Sequence, residues 1–194
     1  SMLAIVLLVA FSAGGYIIGV RLPSSFLPDE DQGFFYVNLQ LPDASSLQRT
    51  GQAASQVEKI LAKLPGVDHV TTTIGSSLLS GVQTTYNAFF FVTLKPWDER
   101  NSANDQYEAI KQQLNRELAG FAPADAFAFS PPAIPGVGAS GGITFVLEDR
   151  SGGDMEFLAK NVDTFVDAAR KRPELAQVST TLLPQVPQVY LDVD

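Results

Sequence analysis

Eighteen consecutive residues without a charge, Leu3 to Val20 (LAIVLLVAFSAGGYIIGV), constrain this chain more than any other feature. As an α-helix the run is about 27 Å long at 1.5 Å per residue, close to the roughly 30 Å hydrocarbon core of a bilayer. A buried helix of a soluble protein carries more polarity over such a length than this run's Ser12 and Tyr16. A secretory signal opens with Lys or Arg, where this chain opens Ser-Met-Leu. Gly14 and Gly15 suit a membrane helix, in which small residues let neighbouring helices approach. Arg21 ends the run and Pro23 stops the helix. The residues predict one membrane-spanning helix over Leu3 to Val20.

Beyond Pro23 the pattern is that of a water-exposed globular protein. Phe34 to Leu41 alternates and is rich in strand formers. From Ser46, the residues Leu47, Ala54, Val57, Leu61 and Leu64 share one helical face, and Pro65-Gly66 ends that helix. Val67 to Ile74 reads as a second strand, Gly75 to Thr85 as a loop and Asn87 to Leu94 as a third strand. Ser102 with Asp105 gives a capping signal for a helix carrying Tyr107, Ile110, Leu114 and Leu118. Asp125 to Phe129 reads as a fourth strand. The order β-α-β, β-α-β is the split unit of ferredoxin-like α+β folds, in which two helices cover one face of a four-stranded sheet.

Pro131 to Gly142 (PPAIPGVGASGG) reads as a linker, after which the pattern restarts. Ile143 to Glu148 predicts a strand. Asp154 predicts the cap of a helix with Met155, Leu158, Val162, Phe165 and Ala169 on one face. Leu175 to Leu182 and Val189 to Val193 predict two more strands. This second unit stops before its second helix, so a continuation beyond Asp194 is expected.

The chain's chemistry is sparse. A net charge of -8 over 194 residues opposes nucleic-acid binding, including an RNA-binding sheet. With no cysteine there is no disulfide, thiolate nucleophile or Cys-ligated zinc. The single histidine, His69, follows Asp68 in a strand whose neighbours point to opposite faces, and no GxSxG phrase accompanies it. Gly136 to Gly141 matches GxGxxG, but Pro131 and Pro132 precede it and a strand-like run follows, so the strand–loop–helix context of a dinucleotide site is missing. Asp29, Glu30 and Asp31 lack the spacing of a cation loop and read as a solvated turn. An acylphosphatase-like enzyme needs arginine in the loop after the first strand, and Pro42-Asp43-Ala44-Ser45 supplies none. No catalytic, metal or cofactor site is expected.

Aromatic residues crowd the strands: Phe34, Phe35, Tyr36, Phe89, Phe90, Phe91, Phe127 and Phe129. Alternation lets only half of each run face the helices. The other half forms an apolar surface that requires a ligand or another subdomain to cover it.

Four separated phrases then carry a resemblance: PSSFLPDEDQG at Pro23 to Gly33, FFFVTLKPW at Phe89 to Trp97, AFAFSPPAIPGVG at Ala126 to Gly138, and PQVYLDVD at Pro187 to Asp194. In this order, after a membrane helix, they resemble the second half of hydrophobe/amphiphile efflux transporters of the resistance-nodulation-division family. The resemblance covers essentially the whole chain. It implies the seventh transmembrane helix at residues 1–22, the first C-terminal porter subdomain at 23–134, and the first part of the second at 135–194. It implies a homotrimer in the bacterial inner membrane with its porter portion in the periplasm, joined to a periplasmic adaptor and an outer-membrane channel. It also implies export of apolar or amphiphilic drugs driven by proton influx, with the proton-relay residues on helices outside this chain.

The resemblance further implies a substrate-binding set of Tyr36, Asn38, Thr71, Thr73, Leu78, Phe91, Phe127, Phe129 and Ile134. Within it, Phe127 and Phe129 match positions lining the proximal pocket. A switch loop between proximal and distal pockets matches Gly75, Ser76, Ser77, Leu78, Leu79 and Gly81. This chain departs from the best-known members in having no phenylalanine in that loop, threonines at 71 and 73, and Ser179 at an arginine position. Those differences bear on the drug spectrum. The competing reading is a ferredoxin-like interaction module without a ligand pocket.

Overall fold

The structure, a computed structural model, describes residues 2–21, 30–134, 140–175, 178–182 and 184. It divides into a unit up to Glu30 and a unit from Asp31 onwards. The first is helix α1, Met2–Arg21, which buries none of its side chains. It is apolar all round, the signature of a helix with no water-facing side, and long enough to cross a membrane. Its one charge, Arg21, sits in the last turn.

The second unit begins with β1 (Phe34–Gln40), α2 (Leu47–Leu61), β2 (Val67–Ser76), β3 (Gln83–Leu94), α3 (Tyr107–Leu118) and β4 (Asp125–Phe129). The strands form one sheet in the order β2-β3-β1-β4, and every pairing is antiparallel. This is the ferredoxin-like α+β arrangement predicted from the periodicity. Alternation assigns the faces: Phe35, Val37 and Leu39 of β1, Phe90, Val92 and Leu94 of β3, and Ala126 and Ala128 of β4 enter the core with α2 and α3. Ala53 and Ala54 keep α2 close to the sheet, and Tyr107, Ile110, Leu114 and Leu118 form the buried stripe of α3. At Gly66 the approach is tight, because a Cβ there would meet Ile110 Cδ1 and lie 3.3 Å from the Asp105 carbonyl.

Some expectations change in detail. Leu47 stays exposed in the first turn of α2. The β2–β3 loop is shorter than the composition predicts, because β2 runs on to Ser76 and β3 starts at Gln83. Ser102 caps a short 3-10 turn, Ala103–Asp105, and α3 starts later from Gln106. Asp68 and His69 do not point apart: a register shift between Val67 and His69 breaks the alternation, and His69 Nδ1 lies 2.7 Å from Asp68 Oδ2.

Among the described residues, the repeat after the linker is met only in its helix, α4, Met155–Arg170, capped by Asp154 as expected. Val166 and Ala169 are its buried residues, while Met155 and Phe165 are exposed. Ile143 to Glu148 forms no strand, and neither do the described residues 178–182. A strand exists only when its backbone groups are paired by a neighbour, and Ile143 to Glu148 has none among the described residues. Val189 to Val193 and Gly136 to Gly138 lie outside the described residues. No helix begins at Gly141, since residues 143–150 are non-helical.

Candidate functional site

The face of the sheet away from α2 and α3 is aromatic. Because Phe35 and Val37 turn to the core, Phe34, Tyr36 and Asn38 of β1 turn the other way. On the flanking strands Tyr36 pairs with Phe91 and with Phe129, and Asn38 pairs with Phe89 and with Phe127. The rings form a continuous series. Phe34 stacks on Phe91 at 4.8 Å, and Tyr36 meets Phe91 edge-on at 5.6 Å. Tyr36 also lies 5.6 Å from Phe129, which lies 5.8 Å from Phe127. Thr71 and Thr73 of β2 extend the same face, opposite Phe91 and Phe89. Tyr36, Asn38, Thr71, Thr73, Phe91, Phe127 and Phe129 therefore share one surface. The residues Leu78 and Ile134 belong to segments outside the strands.

Phe127 is the least exposed of the rings at 9%, and Asn38 beside it is 4% exposed. Phe34, Tyr36, Phe91 and Phe129 are half-buried. Such rings offer broad contact with little directional demand, and the Tyr36 hydroxyl and Asn38 amide add polar groups at its centre. The expected set omits Phe34 and Phe89. Their period-two spacing from Tyr36 and Phe91 carries the signal for both.

The β2–β3 loop closes tightly. Ser77 N–H donates to the Val82 carbonyl at 3.0 Å, and Gly81 N–H to the Ser77 carbonyl at 3.0 Å. Gly75 and Gly81 hold φ of 88° and 69°, values that favour glycine. Leu78 and Leu79 are half-buried and Ser77 is buried. The two roots of the loop differ. On the β3 side, Leu41 N–H donates to the Tyr86 carbonyl, the buried Thr50 hydroxyl donates to the Thr85 carbonyl at 2.7 Å, and the Thr85 hydroxyl donates to the Ser45 carbonyl at 2.8 Å. On the β2 side, the ladder breaks between Ile74 and Ser76, at Gly75.

Of the acidic run, Asp29 lies outside the described residues and Glu30 is exposed, but Asp31 is more than part of a solvated turn. Asp31 Oδ1 accepts from Gly33 N–H at 2.9 Å, and its Oδ2 lies 2.7 Å from Nη2 of the buried Arg100, an ion contact rather than a well-aligned hydrogen bond. Arg100 Nε also donates to the Lys95 carbonyl. The pair ties the start of β1 to the connection between β3 and α3. Among the described residues there is no cluster of three or more metal-ligating side chains.

A sequence profile of the AcrB/AcrD/AcrF family matches residues 1–194. The multidrug/solvent efflux pump membrane transporter MepB of Pseudomonas putida is 34% identical over 90% of this chain and 16% of its own length. The multidrug export protein AcrF of Escherichia coli K12 is 34% identical over 94% of this chain and 18% of its own length. The multidrug resistance protein MdtF of the same bacterium is 30% identical over 94% and 18%. The chain thus spans less than a fifth of the length of these relatives.

Proposed function

The chain belongs to the AcrB/AcrD/AcrF family of resistance-nodulation-division efflux transporters, and we propose that it forms the drug-handling porter part of a proton-driven multidrug pump. In this reading α1 anchors the segment in the inner membrane. Residues 23–134 and 135–194 are parts of two periplasmic porter subdomains of a trimer that works with an adaptor and an outer-membrane channel. The aromatic face takes up apolar or amphiphilic drugs, with Phe127 and Phe129 on the proximal side, and the loop from Gly75 to Gly81 governs passage beyond them.

One observation carries the drug-binding part: five rings from three strands form a continuous apolar series on the face of the sheet opposite α2 and α3. The names of the relatives as multidrug, solvent and export proteins support the substrate class. The test uses the full-length transporter and an environment-sensitive apolar dye, N-phenyl-1-naphthylamine. Burying a phenylalanine side chain is worth about 1.5–3 kcal/mol, so Phe127→Ala should weaken dye binding about tenfold and selectively reduce export of large apolar drugs at normal membrane abundance. Unchanged dye affinity and an unchanged resistance profile would favour the interaction module, in which another subdomain covers the face.

A further inference from the structure

We propose that Asn115 is a positioning residue for the aromatic face: from the opposite side of the sheet it clamps edge strand β4 and so fixes the stance of Phe127 and Phe129. The inference rests on the drug-binding reading above and names a residue that touches no drug in it.

In an antiparallel pair, alternate residues turn both backbone groups away from the partner strand. Among the described residues β4 has a partner only in β1, so there the outward groups have no ladder of their own. At Ala128 both are taken by one side chain. Ala128 N–H donates to Asn115 Oδ1 at 2.7 Å, and Asn115 Nδ2 donates to the Ala128 carbonyl at 3.1 Å. The amide stands in for the missing neighbouring strand, presenting one acceptor and one donor as a backbone would. It is the side-chain type with both functions at this spacing.

One turn earlier on α3, Lys111 Nζ donates to Ser130 Oγ at 2.8 Å and to Glu108 Oε1 at 2.6 Å. Residues 111 and 115 are i and i+4 on one helix face, and 128 and 130 are alternate positions on the chain. The two grips therefore bracket Phe129, whose ring lies on the other face against Tyr36 and Phe127. Asn115 also blocks the edge, which otherwise offers unpaired backbone to any passing strand. Sliding or fraying of β4 would move both phenylalanines together relative to Tyr36, since all three stand on the β1–β4 ladder.

The experiment uses the full-length transporter with Asn115→Ala, which removes both bonds, and Asn115→Asp, which keeps the acceptor for Ala128 N–H and loses the donor. Phe129→Ala is measured in parallel. Hydrogen exchange of a peptide spanning Asp125 to Ser130 reads the clamp, and resistance across drugs of different size reads the site. Asn115→Ala should speed exchange in that peptide about tenfold or more, the scale of two lost part-buried hydrogen bonds. It should also reproduce the drug-by-drug pattern of Phe129→Ala at normal abundance, with Asn115→Asp in between. A merely structural role would lower abundance and all drugs alike, and that result overturns the proposal. Unchanged exchange overturns it too, as does faster exchange with a wild-type profile while Phe129→Ala alters its own. If Phe129→Ala changes no drug while Asn115→Ala still speeds exchange, the drug-site reading falls and the strand clamp stands.

Discussion

Phe90 and Phe91 are neighbours in sequence and opposites in role, which makes them the sharpest test of the face assignment. Phe90 is fully buried in the core beneath the helices. Its truncation to Ala belongs with the core Phe→Ala changes that cost about 3–5 kcal/mol. Against a total stability of about 5–15 kcal/mol for a domain, that is a large share. Phe91 is half-buried on the other face, where it stacks on Phe34 at 4.8 Å and meets Tyr36 at 5.6 Å. Aromatic pairs of this kind are worth about 0.5–1.5 kcal/mol each beyond the area they bury, so the two pairs of Phe91 put about 1–3 kcal/mol at stake in addition to its partial burial, without the core cavity that Phe90→Ala leaves.

The functional forecast has the opposite order. If Phe91 contacts drug, losing part of a phenylalanine's burial weakens binding about tenfold or more, and only for drugs that reach it. Both variants are to be made in the full-length transporter, with membrane abundance by immunoblot and minimum inhibitory concentrations over small and large apolar drugs. Phe90→Ala should lower abundance and every resistance together. Phe91→Ala should leave abundance near normal and reduce a subset. Loss of abundance in Phe91→Ala as great as in Phe90→Ala, or normal abundance in Phe90→Ala, refutes the division of the sheet into core and site faces.

Two further outcomes follow from local geometry. Gly66→Ala should lower the melting temperature, since its Cβ would run into Ile110 Cδ1 and overpacking costs about 1–3 kcal/mol; Ile110→Val should restore part of the loss, and additive effects in the double variant would sink the contact argument. Asp149 is held below its usual value of 3.8 first by the Ser151 hydroxyl, then by the Ser151 and Gly153 backbone N–H groups. A depressed folded value means that its contribution to the turn is complete above the ordinary carboxylate range and fades as pH falls through the folded value. Ser151→Ala should therefore move the midpoint of the Asp149 carboxyl carbon upward in an NMR titration, and an unmoved midpoint refutes the assignment of cause.

What the sequence discloses depends on whether the deciding interaction is local. The charge-free run of α1 and the stripe Tyr107, Ile110, Leu114 and Leu118 are local periodicities, and the structure keeps both. The polar residues at the C-terminal end of β1 also disclose its faces, because Asn38 and Gln40 alternate with Val37 and Leu39. The Asp68–His69 contact depends on a bulge. The Asp31–Arg100 and Asn115–Ala128 pairs join residues far apart in the chain, and no periodicity marks them. Ile143 to Glu148 fails for a related reason, since strand composition does not supply a partner.

β4 is the informative middle case. In DAFAF, size alone would send Phe127 and Phe129 into the core and leave the alanines outside. The structure does the reverse, with Ala126 and Ala128 in the core and the phenylalanines on the free face. The helix side of β4 is already filled by Ile110, Leu114 and Leu118 of α3, and Asn115 reaches the Ala128 backbone at 2.7 Å. A phenylalanine at 128 would have to displace those side chains and lift α3 off the strand. The close fit of α3 that requires alanine toward the core is what turns the two large rings to the opposite face, Phe129 half-buried and Phe127 only 9% exposed, so the packing of the fold and the character of the site are set together by the five residues Asp125 to Phe129.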